Sequence, residues 1–311
     1  MPAAADDIID KLAAGDAAAL ARCITLMENG GATADLLHRR LCARAGRAAV
    51  IGFTGPPGAG KSTLIDAYIG ILRRRGHKVA VAAVDPTSPI TGGAILGDRV
   101  RMRRHAEDEG VFIRSVASRG HLGGLSESIH RIVDVMDAAG RDYIIVETVG
   151  TGQSEVEVAE IADVCVVVNA PPMGDDVQAM KAGLVEIADV LVVNKADLPL
   201  AHRTGEQLRN MLKRRSEKRD VAIVETVGTK ESGIETLSAA IDGLLAARAS
   251  DKEKSRERRM RRLIAQAAGR AVYDRIRDAA AGDIEGLVKA AASGEIGIAD
   301  AAQRALKTFR A

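Results

Sequence analysis

Between residues 48 and 226 the chain repeats one pattern: a short, almost wholly apolar run, then a longer stretch with apolar residues at helical spacing. The runs are AAVIGFT (48–54), KVAVAAV (78–84), VFIRSV (111–116), DYIIVET (142–148), DVCVVVNA (163–170), DVLVVNK (189–195) and VAIVET (221–226). Near-continuous apolar strands are what a parallel sheet covered on both faces requires. Their alternation with helices implies right-handed crossovers, so the predicted fold class is α/β, a doubly wound, mostly parallel sheet. Ahead of it, Ile8, Ile9 and Leu12, then Leu20, Ile24, Leu26 and Met27, recur at roughly helical spacing, with Gly15 as a break. Beyond residue 248 a highly charged helix of several turns leads into a shorter helical tail. The expected organisation is an N-terminal helical extension (1–47), a nucleotide-hydrolase domain (48–248) and a C-terminal helical arm (249–311).

Composition narrows the function classes. Over 311 residues, 44 basic and 42 acidic side chains leave a formal charge of +2, without the basic excess of an obligate nucleic-acid binder. The basic stretch RERRMRR (256–262) has no interleaved aromatics for base stacking, and a solvated or dimer-contact face is expected there. The three cysteines, Cys23, Cys42 and Cys165, show no CxxC or other metal-ligand spacing, and six histidines add no ligand cluster. An odd thiol count with no secretory signal predicts a reducing compartment. No apolar run approaches the roughly 20 residues of a membrane helix. A soluble, cytoplasmic protein with neither nucleic-acid nor membrane partner is expected.

The first strand runs directly into Gly55-Pro56-Pro57-Gly58-Ala59-Gly60-Lys61-Ser62-Thr63 and then into a helical stretch. This is G-x-x-x-x-G-K-[ST] in its strand–loop–helix setting, the P-loop of nucleotide hydrolases. The glycines let backbone amides close on phosphates, and the helix N-terminus adds its positive end. Lys61 can bridge the β- and γ-phosphates, and the Ser62 hydroxyl can ligate Mg2+.

Asn194-Lys195-Ala196-Asp197 closes the sixth run as N-K-x-D. The Asp197 carboxylate can accept from the N1–H and the exocyclic amine of guanine; adenine offers neither, so GTP and GDP are the expected nucleotides. Asn194 is expected to brace the loops around the base and the Lys195 stem to lie across its face. Val227, Gly228 and Thr229 are candidates for backbone contacts to the guanine oxygen.

Asp85 and Glu147 end the second and fourth runs, where ligands gather in open α/β sheets, and suit Mg2+ ligation. Glu147-Thr148-Val149-Gly150 stands where most regulatory GTPases have D-x-x-G, with Gly150 free to turn its N–H toward a γ-phosphate. The glycine-rich segment 91–102 carries Asp98, which could orient the attacking water. In residues 170–183, Gln178 and Lys181 share a helix face. No arginine is marked out as a finger, so hydrolysis by the isolated protein is expected to be slow and accelerated by a partner.

Taken in order, ALARCITLMENG, GPPGAGKST, VDPTSPITGGAILGDRVRM, ETVGTGQSE, GDDVQAMKAG and NKADLP resemble the MeaB/ArgK family, GTPase chaperones of adenosylcobalamin-dependent acyl-CoA mutases. VDPTSP followed by TGGAILGD carries more of this resemblance than the phosphate loop does, and the match spans almost the whole chain. One departure is APPMGDD (170–176), where the family commonly has a Pro-Gly-containing segment before Gly-Asp. The resemblance implies a homodimer with the C-terminal helices contributing. It also implies Mg2+ at Ser62, Asp85 and Glu147, a catalytic role for Asp98, with Lys61 and Glu147 the further catalytic candidates, and a switch containing Gln178 and Lys181 that signals to the mutase. GTP use would then gate delivery of intact cofactor from a cobalamin adenosyltransferase, and removal of damaged cofactor, on a methylmalonyl-CoA, isobutyryl-CoA or related mutase. The alternatives are a nickel-type metal-insertion GTPase, opposed by the absent ligand cluster, and a transport-linked ATP-dependent kinase, opposed by N-K-x-D.

Overall fold

Each of the seven apolar runs folds as a strand, and the physical reason is visible in what covers them. The computed structural model describes residues 2–85, 102–105, 107–117, 127–148, 153–171, 182–215, 220–277 and 284–308. Three helices, α1 (Pro2–Ala13), α2 (Ala17–Asn29) and α3 (Ala32–Cys42), precede β1 (Ala49–Thr54) and α4 (Lys61–Arg74). Then follow β2 (Val79–Asp85), β3 (Val111–Ala117), α5 (Glu127–Ala138), β4 (Tyr143–Thr148), α6 (Gln153–Ile161) and β5 (Val164–Asn169). The sheet is completed through α7 (Ala182–Ile187), β6 (Val190–Asn194), α8 (Ala201–Lys213) and β7 (Ala222–Thr226), with α9 (Ile234–Ala247) after it. The remaining helices are α10 (Lys252–Arg277), α11 (Glu285–Ala292) and α12 (Ile298–Thr308).

The strands lie in the order β3-β2-β4-β1-β5-β6-β7, and every ladder among the described residues is parallel. Successive side chains point to opposite faces. Val50, Ala82, Val146, Val167 and Val193 enter one apolar cluster with α1, α2, α3, α5 and α8; Ile51, Val81, Ile145, Val166 and Val192 enter the other with α4 and α9. Both sets are buried, so the interior strands are apolar at nearly every position, whereas the edge strands β3 and β7, partly exposed, also carry Arg114 and Glu225.

Of the N-terminal helices, α2 and α3 pack on α5 in the first of these clusters, and α1 packs on α2 and α3. Asp16 caps α2, accepting from the amides of Ala18 at 2.7 Å and Ala19 at 3.1 Å. Asp137 of α5 accepts from the amides of Gly46, Arg47 and Ala48, which fixes the chain's entry into β1.

Two compact units result, Met1–Arg256 and Glu257–Ala311. Within the second, α11 and α12 pack on each other, and Ile264, Tyr273, Val288, Ile298 and Leu306 keep exposed apolar side chains. Among the described residues no helix is long and apolar enough to cross a membrane.

Candidate nucleotide and metal site

β1 sits where the strand order changes direction: β4 and β2 lie to one side of it, β5 to β7 to the other. Crevices outside the carboxyl ends of strands at such a point are where open α/β sheets bind ligands. The loop from Gly55 to Gly60 occupies that place and leads straight into α4.

Two glycines are demanded by their surroundings. Gly55 has φ +138°, and a Cβ there would lie 2.1 Å from the Val168 carbonyl oxygen of β5. Gly60 has φ +85°, and its Cβ would lie 2.5 Å from the Asn194 side-chain nitrogen. The loop can therefore lie flat against β5 and β6 only without side chains at these positions. Gly60 also gives α4 no side-chain cap, leaving the positive end of the helix to an anion.

Lys61 is buried, and its ammonium donates to the carbonyls of Gly55 at 2.8 Å and Pro56 at 3.0 Å. The cation is thus held directly beneath the loop. Ser62 donates its hydroxyl to Glu147 Oε1 at 2.8 Å. Glu147 of β4 pairs with Ala83 of β2, two residues before Asp85, so both carboxylates stand at the same edge of the sheet. Asp85, Glu147 and Ser62 are all buried. A hydroxyl and two carboxylates would offer a hard, all-oxygen donor set, which fits Mg2+ and not a soft metal.

Asn194 joins the phosphate loop to the end of β7 and the turn after it. Its amide nitrogen donates to the Ala59 carbonyl at 2.9 Å, and its carbonyl oxygen accepts from Thr226 Oγ1 and from the Gly228 amide, each at 3.1 Å. Lys195, at φ +56°, turns the chain outward after β6. Its stem reaches the loop, the Lys195 Cε lying 3.9 Å from where a Gly60 side chain would begin. Val227, Gly228 and Thr229 form the adjoining turn, Gly228 packing on the backbone of Leu64 in α4. Phosphate loop, N-K-x-D segment and this turn are therefore in mutual contact. Asp98, Gly150, Gln178 and Lys181 lie outside the described residues.

The geometry adds residues that the sequence did not mark. Lys230 donates to Asp197 Oδ2 at 2.8 Å. That hydrogen bond holds the Asp197 carboxyl below its ordinary range, so it stays ionised through neutral pH. Thr226 anchors Asn194 from the last strand. Away from the pocket, the expectation that histidines and cysteines form no ligand cluster is overturned: His38, Cys42 and Asp134 bring three ligand atoms within 4.8 Å of one another. His38 and Cys42, four apart on a helix, were the half of this that spacing could have revealed; Asp134 arrives only through packing.

The Asn194 bridge can be tested alone. Replacing Asn194 with Ala leaves the Gly228 amide and the Ala59 carbonyl to lose a buried partner, a destabilisation of about 1–3 kcal/mol. Urea unfolding should show a lower midpoint with an unchanged slope, together with weaker nucleotide binding. An unaltered midpoint would remove the bridge from the stability of the pocket.

The sequence profile of the family described as "Methylmalonyl Co-A mutase-associated GTPase MeaB" matches residues 20–281. A putative GTPase of Pyrococcus horikoshii is 51% identical over 237 residues, 75% of each chain. The GTPase ArgK of Escherichia coli is 40% identical over 243 residues, 75% of this chain and 73% of the relative. Among solved structures, one titled "LAO/AO transport system kinase" superposes with a TM-score of 0.74 at 26% identity, covering 100% of this chain and 99% of the other.

Proposed function

The chain belongs to the MeaB family of methylmalonyl Co-A mutase-associated GTPases, and on that premise we propose that it hydrolyses GTP with Mg2+ to gate adenosylcobalamin traffic on an acyl-CoA mutase. The observation that carries the GTP reading is the Asn194 bridge, because it ties the phosphate loop to the segment that carries Asp197. A nucleotide whose phosphates lie on the loop would then have its base within the neighbourhood of the segment that carries Asp197, which supports the reading of Asp197 as the guanine acceptor.

In this reading Lys61 and the loop amides hold the phosphates, and Asp197 accepts the two guanine N–H groups. Glu147 orients the Ser62 hydroxyl, with which Asp85 and Glu147 itself would hold Mg2+. An ion held there would supply positive charge against the phosphate oxygens. Asp98 orients the attacking water, and Gly150 offers its amide to the γ-phosphate. The kinase name of the solved relative is not carried over, since an Asp at position 197 disfavours adenine.

The partner reading rests on the family and on the ordered motifs. The mutase binds the switch that contains Gln178 and Lys181, and a cobalamin adenosyltransferase supplies the cofactor. The protein works as a homodimer, for which the exposed apolar side chains of α10, α11 and α12 offer contact area. GTP favours one switch arrangement only as far as it binds that arrangement better, and a mutase that selects the same arrangement must alter GTP affinity in return.

Capture of an acyl-CoA mutase by the immobilised protein, compared in GTP and in GDP, tests the partner; equal, negligible capture in both nucleotides argues against it. Lys181→Ala should leave hydrolysis by the isolated protein as it is and weaken its acceleration by methylmalonyl-CoA mutase. Full acceleration by that variant would remove Lys181 from signalling.

A further inference from the structure

Helix α3 offers His38 and Cys42 from one face, a turn apart, and α5 lays Asp134 against them. The His38 Nε2 lies 2.9 Å from Asp134 Oδ2 and 3.3 Å from Cys42 Sγ, and the Sγ lies 3.6 Å from the same carboxylate oxygen. Asp134 is buried and the His38 side chain is 15% exposed, so the cluster is nearly enclosed without being sealed.

Which chemistry this serves is decided by the atom at its centre. A nucleophilic thiol needs an imidazole that accepts on one nitrogen while its other nitrogen is held by the carboxylate. Here the same nitrogen, Nε2, is the nearer one to both neighbours; Nδ1 is 3.8 Å from the sulfur. One nitrogen, one sulfur and one oxygen instead converge on a common point. From the geometry we infer that His38, Cys42 and Asp134 form a zinc-type divalent cation site that clamps the N-terminal helices to the hydrolase core.

The dimensions suit such an ion. Tetrahedral zinc with bonds of about 2.3 Å to sulfur and about 2.1 Å to nitrogen and oxygen separates its ligands by about 3.4 Å (N to O) and about 3.6 Å (edges with sulfur). The edges found, 2.9, 3.3 and 3.6 Å, reach these values if the N–O edge opens by about half an ångström and the N–S edge by about 0.3 Å. A thiolate with a carboxylate balances the double positive charge. Thiolate and imidazole favour a borderline-soft metal, in contrast to the oxygen set around Ser62. Three protein ligands leave a fourth position for water or an incoming group.

The site is placed to act on folding. Asp134 lies one turn before Asp137, which holds the backbone that leads into β1. An ion bridging α3 and α5 would fasten the helical extension beside this entry. It lies toward the opposite end of the sheet from the phosphate loop, so its occupancy can be read without nucleotide.

The test uses the full chain, stripped with a chelator and free of nucleotide, with Co2+ and Zn2+ as probes. One equivalent of Co2+ should bind and give a sulfur-to-metal charge-transfer band in the near ultraviolet, and one equivalent of Zn2+ should displace it and raise Tm. Cys42→Ser should abolish the band, and His38→Gln or Asp134→Asn should each weaken Zn2+ binding by at least about tenfold. If Cys42→Ser fails to fold, the wild-type cobalt spectrum with the two other variants still decides. A bound cobalt without the sulfur band, or Zn2+ binding unchanged by these substitutions, would overturn the site.

Discussion

Replacing Asp197 with Asn is expected to turn the nucleotide preference from GTP to xanthosine triphosphate. The carboxylate accepts from guanine N1–H and from the 2-amino group, so both its oxygens act as acceptors. An Asn amide keeps one acceptor for N1–H but presents an N–H2 where guanine also has donors. Xanthine carries a carbonyl at that position and restores the pair. A site that hydrogen-bonds its ligand rejects an analogue with mismatched groups by 10⁴–10⁵. Because the Asp197 side chain is 38% exposed, a change in selectivity on the order of 10⁴ is expected. Competition of the two nucleotides against a labelled GTP analogue measures it. Lys230→Ala is the necessary companion, since it removes the ion pair on Asp197 without touching the carboxylate. That variant should keep GTP selectivity; if it also turned the preference toward xanthine, the ion pair and not base recognition would be responsible. Unchanged selectivity in Asp197→Asn would take the residue out of the base site.

Lys61→Ala should abolish most hydrolysis. Its ammonium is buried beneath the loop and anchored to the Gly55 and Pro56 carbonyls, so on the proposed reading the substitution withdraws a cation from the phosphate site. Removing one well-placed donor from developing charge lowers kcat by about 10²–10³, and a charged group should exceed that. Two carbonyls also lose their donor, so the loop loosens and nucleotide affinity falls with the rate. Lys61→Arg separates charge from fit: it keeps the charge, but a planar fork cannot take the place of a compact ammonium in that enclosed position. Both variants should be inactive in single-turnover hydrolysis while their Tm stays within a few degrees of the parent. Turnover within tenfold of the parent in Lys61→Ala would exclude the lysine from the chemistry.

Much of the fold was legible in the chain. The interior strands could be read because a strand buried on both faces must be apolar at nearly every position, and Val50 and Ile51 face opposite clusters as that rule demands. The phosphate loop could be read because its function is local: glycines, a lysine and a serine act within one turn of backbone. The pocket's closure could not. Asn194 meets Ala59, and Asp197 meets Lys230, through crossovers whose lengths do not encode which side chains will face each other.

The sequence by itself determined the alternation of strand and helix, the phosphate loop and the N-K-x-D segment after the sixth strand, since each depends on residues that are neighbours in the chain or on a single repeating period. Only the tertiary structure decided that the N-terminal helices join the core of the sheet, that Ser62 meets Glu147, and that His38 and Cys42 acquire Asp134. These are contacts between segments distant in sequence. Helical spacing shows which side chains share a face; the element covering that face is selected by the packing of the whole core, in which the gain from burial is nearly independent of residue order.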